Sequence, residues 1–166
     1  MSESGRFVVD NHSRVDTVPA SVLRNAEGDV VAELQTADLS GLEEAGWSAP
    51  ERFSLKAADG VTDLYGVMYK PFDFDPDKKY PIVTYVYPGP QTEAVPKSFT
   101  TGGDEAALAQ FGFIVAVMGH RGGHPDRSRW YHTYGYGNLR DYALQDKKVA
   151  LERLAARHGF IDIDRV

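Results

Sequence analysis

At 166 residues, with 42% hydrophobic and 25% charged side chains, the chain is long enough for one domain with a real core and too apolar to be disordered. A net charge of −6 with scattered Lys and Arg excludes the basic stripe that nucleic acid requires, and no apolar run approaches a membrane span. The absence of cysteine excludes disulfides, thiol catalysis and Cys-ligated zinc, and the polar, acidic start from Met1 to Gly5 does not read as a signal peptide.

In chain order, Arg6 to Asp10 predicts a short strand followed by a polar loop over Asn11–Arg14. Pro19 to Arg24 and Asp29 to Leu34 predict a hairpin closed by the Gly-containing loop Asn25–Gly28. Asp38 to Ala45 predicts one or two helical turns ending at Gly46, and Trp47–Pro50 a joint between parts. Residues 1–46 carry few large apolar side chains and are not expected to fold alone.

Beyond the joint, Glu51–Lys56 and Val61–Tyr69 predict a second hairpin through Ala58-Asp59-Gly60, Asp-Gly being a strong turn signal. An exposed acidic loop over Pro71–Lys78 leads to the run Pro81–Tyr87, apolar, β-branched or aromatic throughout, which suits a buried strand. Pro88-Gly89-Pro90 ends it, and Tyr87 is left at the carboxyl end of the strand, where α/β sheets bind ligands. A short helix over Gly103–Gln110, a buried strand over Phe111–Met118, a long loop over Gly119–Gly137 and a helix from Asn138 to about His158 follow. Asn138 is the expected cap, Asp141 sits in the first turn, and Leu139, Tyr142, Ala143, Val149, Ala150, Leu154 and Ala155 form the apolar stripe. Phe160 to Val166 begins another strand. Strands alternating with helices predict an open α/β sheet, unfinished at its last strand.

The long loop offers His120, His124, Asp126 and His132, a set that invites a metal reading. The His-x3-His spacing works on a helix, and Gly122, Gly123 and Pro125 oppose a helix there, so the expectation is no metal and a solvated or rim loop. Arg121 is expected to brace that loop through carbonyls or carboxylates. Trp130, Tyr131, Tyr134 and Tyr136 could line a cleft or pack the loop; Asp141 and Asp146, poorly aligned on a helix, suit capping and a structural ion pair better than acid/base work.

The block Asp59–Pro71, then Lys78-Lys79-Tyr80-Pro81 and Tyr85-Val86-Tyr87-Pro88-Gly89-Pro90, resembles the prolyl oligopeptidase family of serine peptidases, in its dipeptidyl-peptidase-IV-like branch. His120-Arg121-Gly122-Gly123, Gly137–Tyr142 with Asp146, and Phe160–Val166 resemble the family's next blocks in order. Residues 1–46 resemble, more weakly, the closing strands of the family's β-propeller, and residues 47–166 the N-terminal part of its α/β-hydrolase domain.

The resemblance implies acyl transfer through a serine ester, without a cofactor, and a peptide as substrate. It implies Tyr87 as a phenolic oxyanion-hole donor; Arg121 and Trp130 remain loop-bracing or cleft candidates on the loop's own residues, and no metal is expected there. No Gly-x-Ser-x-Gly turn occurs in the chain, so nucleophile, acid and base are expected beyond residue 166, and the 166 residues alone are expected to be inactive. The alternative reading is a non-catalytic interaction module, with homo-oligomers forming through an exposed sheet edge. Substrate preference and compartment stay open; a periplasmic or secreted parent is one reading, since family members are often exported.

Overall fold

The chain opens with three strands, β1 (Phe7–Arg14), β2 (Thr17–Asn25) and β3 (Val30–Thr36), each with β-branched residues, in the computed structural model, which describes residues 2–87, 89 and 93–166. They pair antiparallel in the order β1-β2-β3. The expected loop over Asn11–Arg14 is instead strand: Asn11 pairs with Ser21, whose hydroxyl donates to the Asn11 carboxamide oxygen at 2.6 Å. A strand wet on both faces carries no apolar signature, so its polar half was invisible in the pattern. The β2–β3 loop closes as expected, with Gly28 at φ 93° and the Asp29 amide donating to Asn25 Oδ1.

After the single helical turn α1 (Ser40–Glu44), Trp47 stacks edge-on against Phe99 at 5.8 Å. Residues up to Ala49 together with Lys97–Thr101 make one unit; Pro50–Pro96 with Gly102–Val166 make the other. The first unit buries only Val15, Val22 and Trp47 as apolar residues among those described.

The second unit begins with the hairpin β4 (Glu51–Lys56) and β5 (Asp63–Tyr69), in register from Glu51↔Met68 to Lys56↔Asp63. Then come β6 (Tyr80–Tyr85), α2 (Asp104–Ala109), β7 (Ile114–Met118), α3 (Arg129–Thr133), α4 (Tyr142–Arg157) and β8 (Ile161–Asp162). The sheet order is β4-β5-β7-β6-β8, with β7, β6 and β8 mutually parallel and the β4–β5–β7 side antiparallel. All five residues of β7 are buried, as a strand covered on both faces should be. One face of the sheet presents Phe53, Leu55, Met68, Ile82, Ile114, Ala116 and Met118 to Ala150, Leu151 and Leu154 of α4. Phe74 extends this core, stacked on Tyr80 at 5.5 Å and edge-on to Phe160 at 4.8 Å.

Several expected boundaries move. β7 starts at Ile114 rather than Phe111, because Gly112 turns at φ 88° and leaves Phe111 80% exposed. The expected loop contains α3, capped by Ser128, whose hydroxyl accepts from the Tyr131 amide at 3.1 Å. α4 starts at Tyr142, and Asp141 occupies the cap position without a side-chain bond; Asn138 sits in a preceding turn with its amide on Gly135 O. Tyr142 decides this, because its ring fills the space beside Gly122 and Gly135, where no Cβ could fit. The stripe shifts accordingly: Leu139 is exposed and Val149 only half-buried, while Asp146, Lys147 and Leu151 are buried.

Candidate functional site

Tyr87 lies two residues past Tyr85, the last residue of β6. β6 is the third strand of the mixed sheet in chain order, and the chain turns back from it to β7 before crossing over to β8. The direction of strand addition therefore reverses at β6, the place where open α/β sheets leave a crevice at their carboxyl ends. The Tyr87 side chain is 41% exposed, beside the exposed Tyr85 and Val86. Two recesses flank this strand. One, of about 300 Å³, is formed by Val83–Val86 with Asp104, Glu105 and Leu108 of α2 and Val115 of β7. The other, of about 560 Å³, runs between Thr84, Val86 and the Leu144, Lys147 and Leu151 side of α4. Pro88 and Pro90 of the expected turn lie outside the described residues.

The carboxyl end of β7 is built on buried charge. His120 to Gly123 are buried, which overturns the solvated alternative expected for this part of the loop. Asp146, fully buried on α4, accepts from the Arg121 amide at 2.9 Å, from Arg121 Nε at 3.0 Å and Nη2 at 2.8 Å, and from the Ala58 amide at 3.0 Å. Arg121 Nη1 donates to Asp59 Oδ2 at 3.2 Å, and the guanidinium lies 4.1 Å from the Tyr134 ring centre. Burial opposes the Arg121 charge, but the bonds to Asp146 outweigh it and raise its pKa. Burial also works against Asp59, yet the hydroxyl and amide of Thr62, the Val61 amide and Arg121 hold its pKa at about 2. A carboxylate–guanidinium–carboxylate chain thus ties α4, the loop after β7 and the β4–β5 turn together.

Lys147 is buried next to it and donates to the Met118 carbonyl at the end of β7. Burial pulls its pKa down to about 8, only partly countered by Glu93 and Asp146. His120 is 1% exposed, with its ring 5.4 Å from Tyr142. Burial first, and the Lys147 charge second, lower its pKa to about 4, so the imidazole is neutral at pH 7.

The residues singled out from the sequence are therefore spread over three places. Tyr87 lies two residues past β6 and Arg121 follows β7, the adjacent parallel strand; Trp130 stands 59% exposed on α3 with its ring 6.2 Å from Tyr134. Asp141 is exposed beside Arg140. His124 Nδ1 accepts from the Asp126 amide at 3.1 Å, and among the described residues no three His, Asp or Glu side chains converge on a cation-sized space. Sequence reasoning passed over Glu93 and Lys147, and read Tyr142 only as a member of the helix's apolar stripe and of a family block. Lys147 could have been found: Ala143, Lys147, Ala150 and Leu154 share one face of α4, and a lysine on that face has to be buried.

Fold and site together describe an α/β protein with a mixed sheet and a phenol-bearing strand end backed by buried ion pairs. Dipeptidyl peptidase 8 of Homo sapiens is 36% identical over 124 residues, 72% of this chain and 13% of that protein. Its Mus musculus counterpart is 34% identical over 152 residues, 87% of this chain and 17% of that protein. A crystal structure assigned to a dipeptidyl aminopeptidase IV of Bacteroides ovatus superimposes with a TM-score of 0.79 at 28% identity, over 99% of this chain and 23% of that one. No family model matches the chain. The chain belongs to the dipeptidyl-peptidase-IV-like branch of the prolyl oligopeptidase family. It spans less than a fifth of the length of these two curated relatives. None of the helices among the described residues is long and apolar enough to cross a membrane.

Proposed function

We propose that the protein containing these residues is a serine peptidase that releases short peptides by acyl transfer, and that Tyr87 donates its phenol hydrogen to the oxyanion of the tetrahedral intermediate. One observation carries this reading: Tyr87 lies in the loop two residues past the third strand of the mixed sheet, at the point where strand order reverses. In the α/β-hydrolase arrangement an oxyanion-hole donor comes from the loop after that strand. On this reading residues 47–166 are the N-terminal part of a hydrolase domain, and the antiparallel strands of residues 1–46 close a β-propeller. Nucleophile, acid and base come from sequence outside these residues, which contain no Gly-x-Ser-x-Gly turn. The buried Asp146–Arg121–Asp59 chain braces the neighbouring loop, and Trp130 lines the approach to the cleft.

The test is turnover of dipeptidyl 4-nitroanilides by the full-length protein and its Tyr87→Phe variant. Losing one oxyanion donor should lower kcat by about 10²-fold and leave KM within a few-fold. The 166-residue chain by itself should show no turnover. A full-length protein that hydrolyses neither these substrates nor longer, internally quenched peptides would be an interaction module built on the same fold, and an unaltered kcat in Tyr87→Phe would remove Tyr87 from the chemistry.

A further inference from the structure

Glu93 belongs to the segment leaving β6, the same segment that carries Tyr87, yet its side chain is only 9% exposed. Its carboxylate occupies space that only glycine leaves free in the loop after β7. A Cβ on Gly119 would lie 2.6 Å from Glu93 Oε1, and one on Gly123 would lie 2.7 Å from its Cγ. The Tyr131 hydroxyl of α3 donates to Oε1, and Arg127 Nη1 stands 3.8 Å away. Arg127 is itself held against two rings, 4.1 Å from the centre of Tyr131 and 5.1 Å from that of Tyr65 on β5. The Lys147 ammonium on α4 adds a further attractive charge.

One carboxylate thus gathers groups from the loop after β7, α3 and α4, with Tyr65 of β5 behind Arg127. A buried carboxylate needs such partners, since an unpaired one is expensive to desolvate. At Gly119 every atom that would crowd a Cβ belongs to Glu93; at Gly123 the nearest is Glu93 Cγ, with the His120 carbonyl oxygen next at 3.1 Å.

We propose that Glu93 is a positioning residue: it clasps the loop after β6 to the loop after β7 and so fixes the direction from which Tyr87 presents its hydroxyl. The function of this clasp rests on the oxyanion role of Tyr87; the clasp itself does not. Small displacements of an oxyanion donor weaken it sharply, which is why the segment needs an anchor on a rigid neighbour.

Two measurements on the full-length protein separate these statements. In hydrogen exchange, Glu93→Ala should accelerate the amides of residues 93–95 and of 119–123 by 10-fold or more and leave those of α4 from Ala150 to Arg157 unchanged. In kinetics it should lower kcat about 10-fold with little change in KM, and Glu93→Gln, which keeps an acceptor for Tyr131, should recover most of the loss. Tyr131→Phe removes only the hydroxyl and serves if Glu93→Ala does not fold; in a Glu93→Ala background it should add nothing. Unchanged exchange over 119–123 in Glu93→Ala, or effects of Glu93→Ala and Tyr131→Phe that simply add, would overturn the clasp. Altered exchange together with a fully active Tyr87→Phe would instead keep the clasp and overturn the oxyanion reading.

Discussion

At the scale of single residues, buried titratable groups set how stability depends on pH. His120 has a pKa of about 4 in the fold against an ordinary value of 6.5. Between those values the unfolded chain binds the extra proton, so the contribution of His120 is complete above pH 6.5 and is lost as pH falls toward 4. The loss is at most about 3 kcal/mol. His158, also lowered by burial, loses stability on the same side of its ordinary value. Urea unfolding at pH 7 and pH 5 should therefore show a smaller difference in His120→Leu than in the parent; equal differences would mean that His120 is not the titrating group. Lys147 acts in the opposite range: its pKa of about 8 against 10.5 makes stability rise between those pH values, as the unfolded chain holds the proton longer. Gly122 is constrained in another way, by a φ of 90° and by the Tyr142 ring in the place of a Cβ. Gly122→Ala should lower stability by about 2–4 kcal/mol in the same assay, a value near zero showing that the ring can move aside.

At the scale of elements, α4 covers the sheet and also guards its edge. In the β4–β5 ladder the Ala57 amide donates to Thr62 O, so the carbonyls of Ser54 and Lys56 point away from β5. Arg157 Nη2 donates to Ser54 O at 3.1 Å and Arg153 Nη1 donates to Lys56 O, occupying two acceptors that a foreign strand would need. Charged side chains on an edge are a common defence against strand addition. Replacing both arginines by Ala should increase self-association in sedimentation velocity while costing the monomer about 1–2 kcal/mol; an unchanged distribution would mean that the edge is blocked by something else. Homo-oligomers, where they form, would then use surfaces other than β4. The helix boundary itself was misplaced by the sequence pattern because Asn138 has the right chemistry for a cap. Tyr142 has the packing, and packing prevailed.

At the scale of the whole molecule, the two units differ in what holds them. The unit that contains β1–β3 buries three apolar residues among those described and leaves Val9, Val30, Val31 and Leu34 about half exposed. Hydrophobic burial on that scale does not offset the conformational entropy of nearly fifty residues. A peptide of residues 1–49 should thus show random-coil circular dichroism and collapsed amide dispersion, and a cooperative melt of that peptide would refute the argument.

Sequence alone determined the order of the strands and of the long helix in the second unit, because Ile114–Met118 is an apolar run suited to a doubly covered strand and Pro81–Tyr85 is rich in β-branched and aromatic residues, whereas α3 lies in what reads as a loop. It also determined the family, because motif blocks are kept in order along the chain, and it singled out Tyr87 by its position at the end of a strand. The tertiary structure decided which charges are inside. Asp59, Glu93, Arg121 and the Asp146-Lys147 pair are distant from one another in the chain, and nothing in local spacing marks which of them meet. Their pairing depends on three loops and one helix face meeting behind β6 and β7. Burial is a property of the assembled core, whereas periodicity reports only which face of an element is apolar, so the charged frame became visible only once the chain had folded.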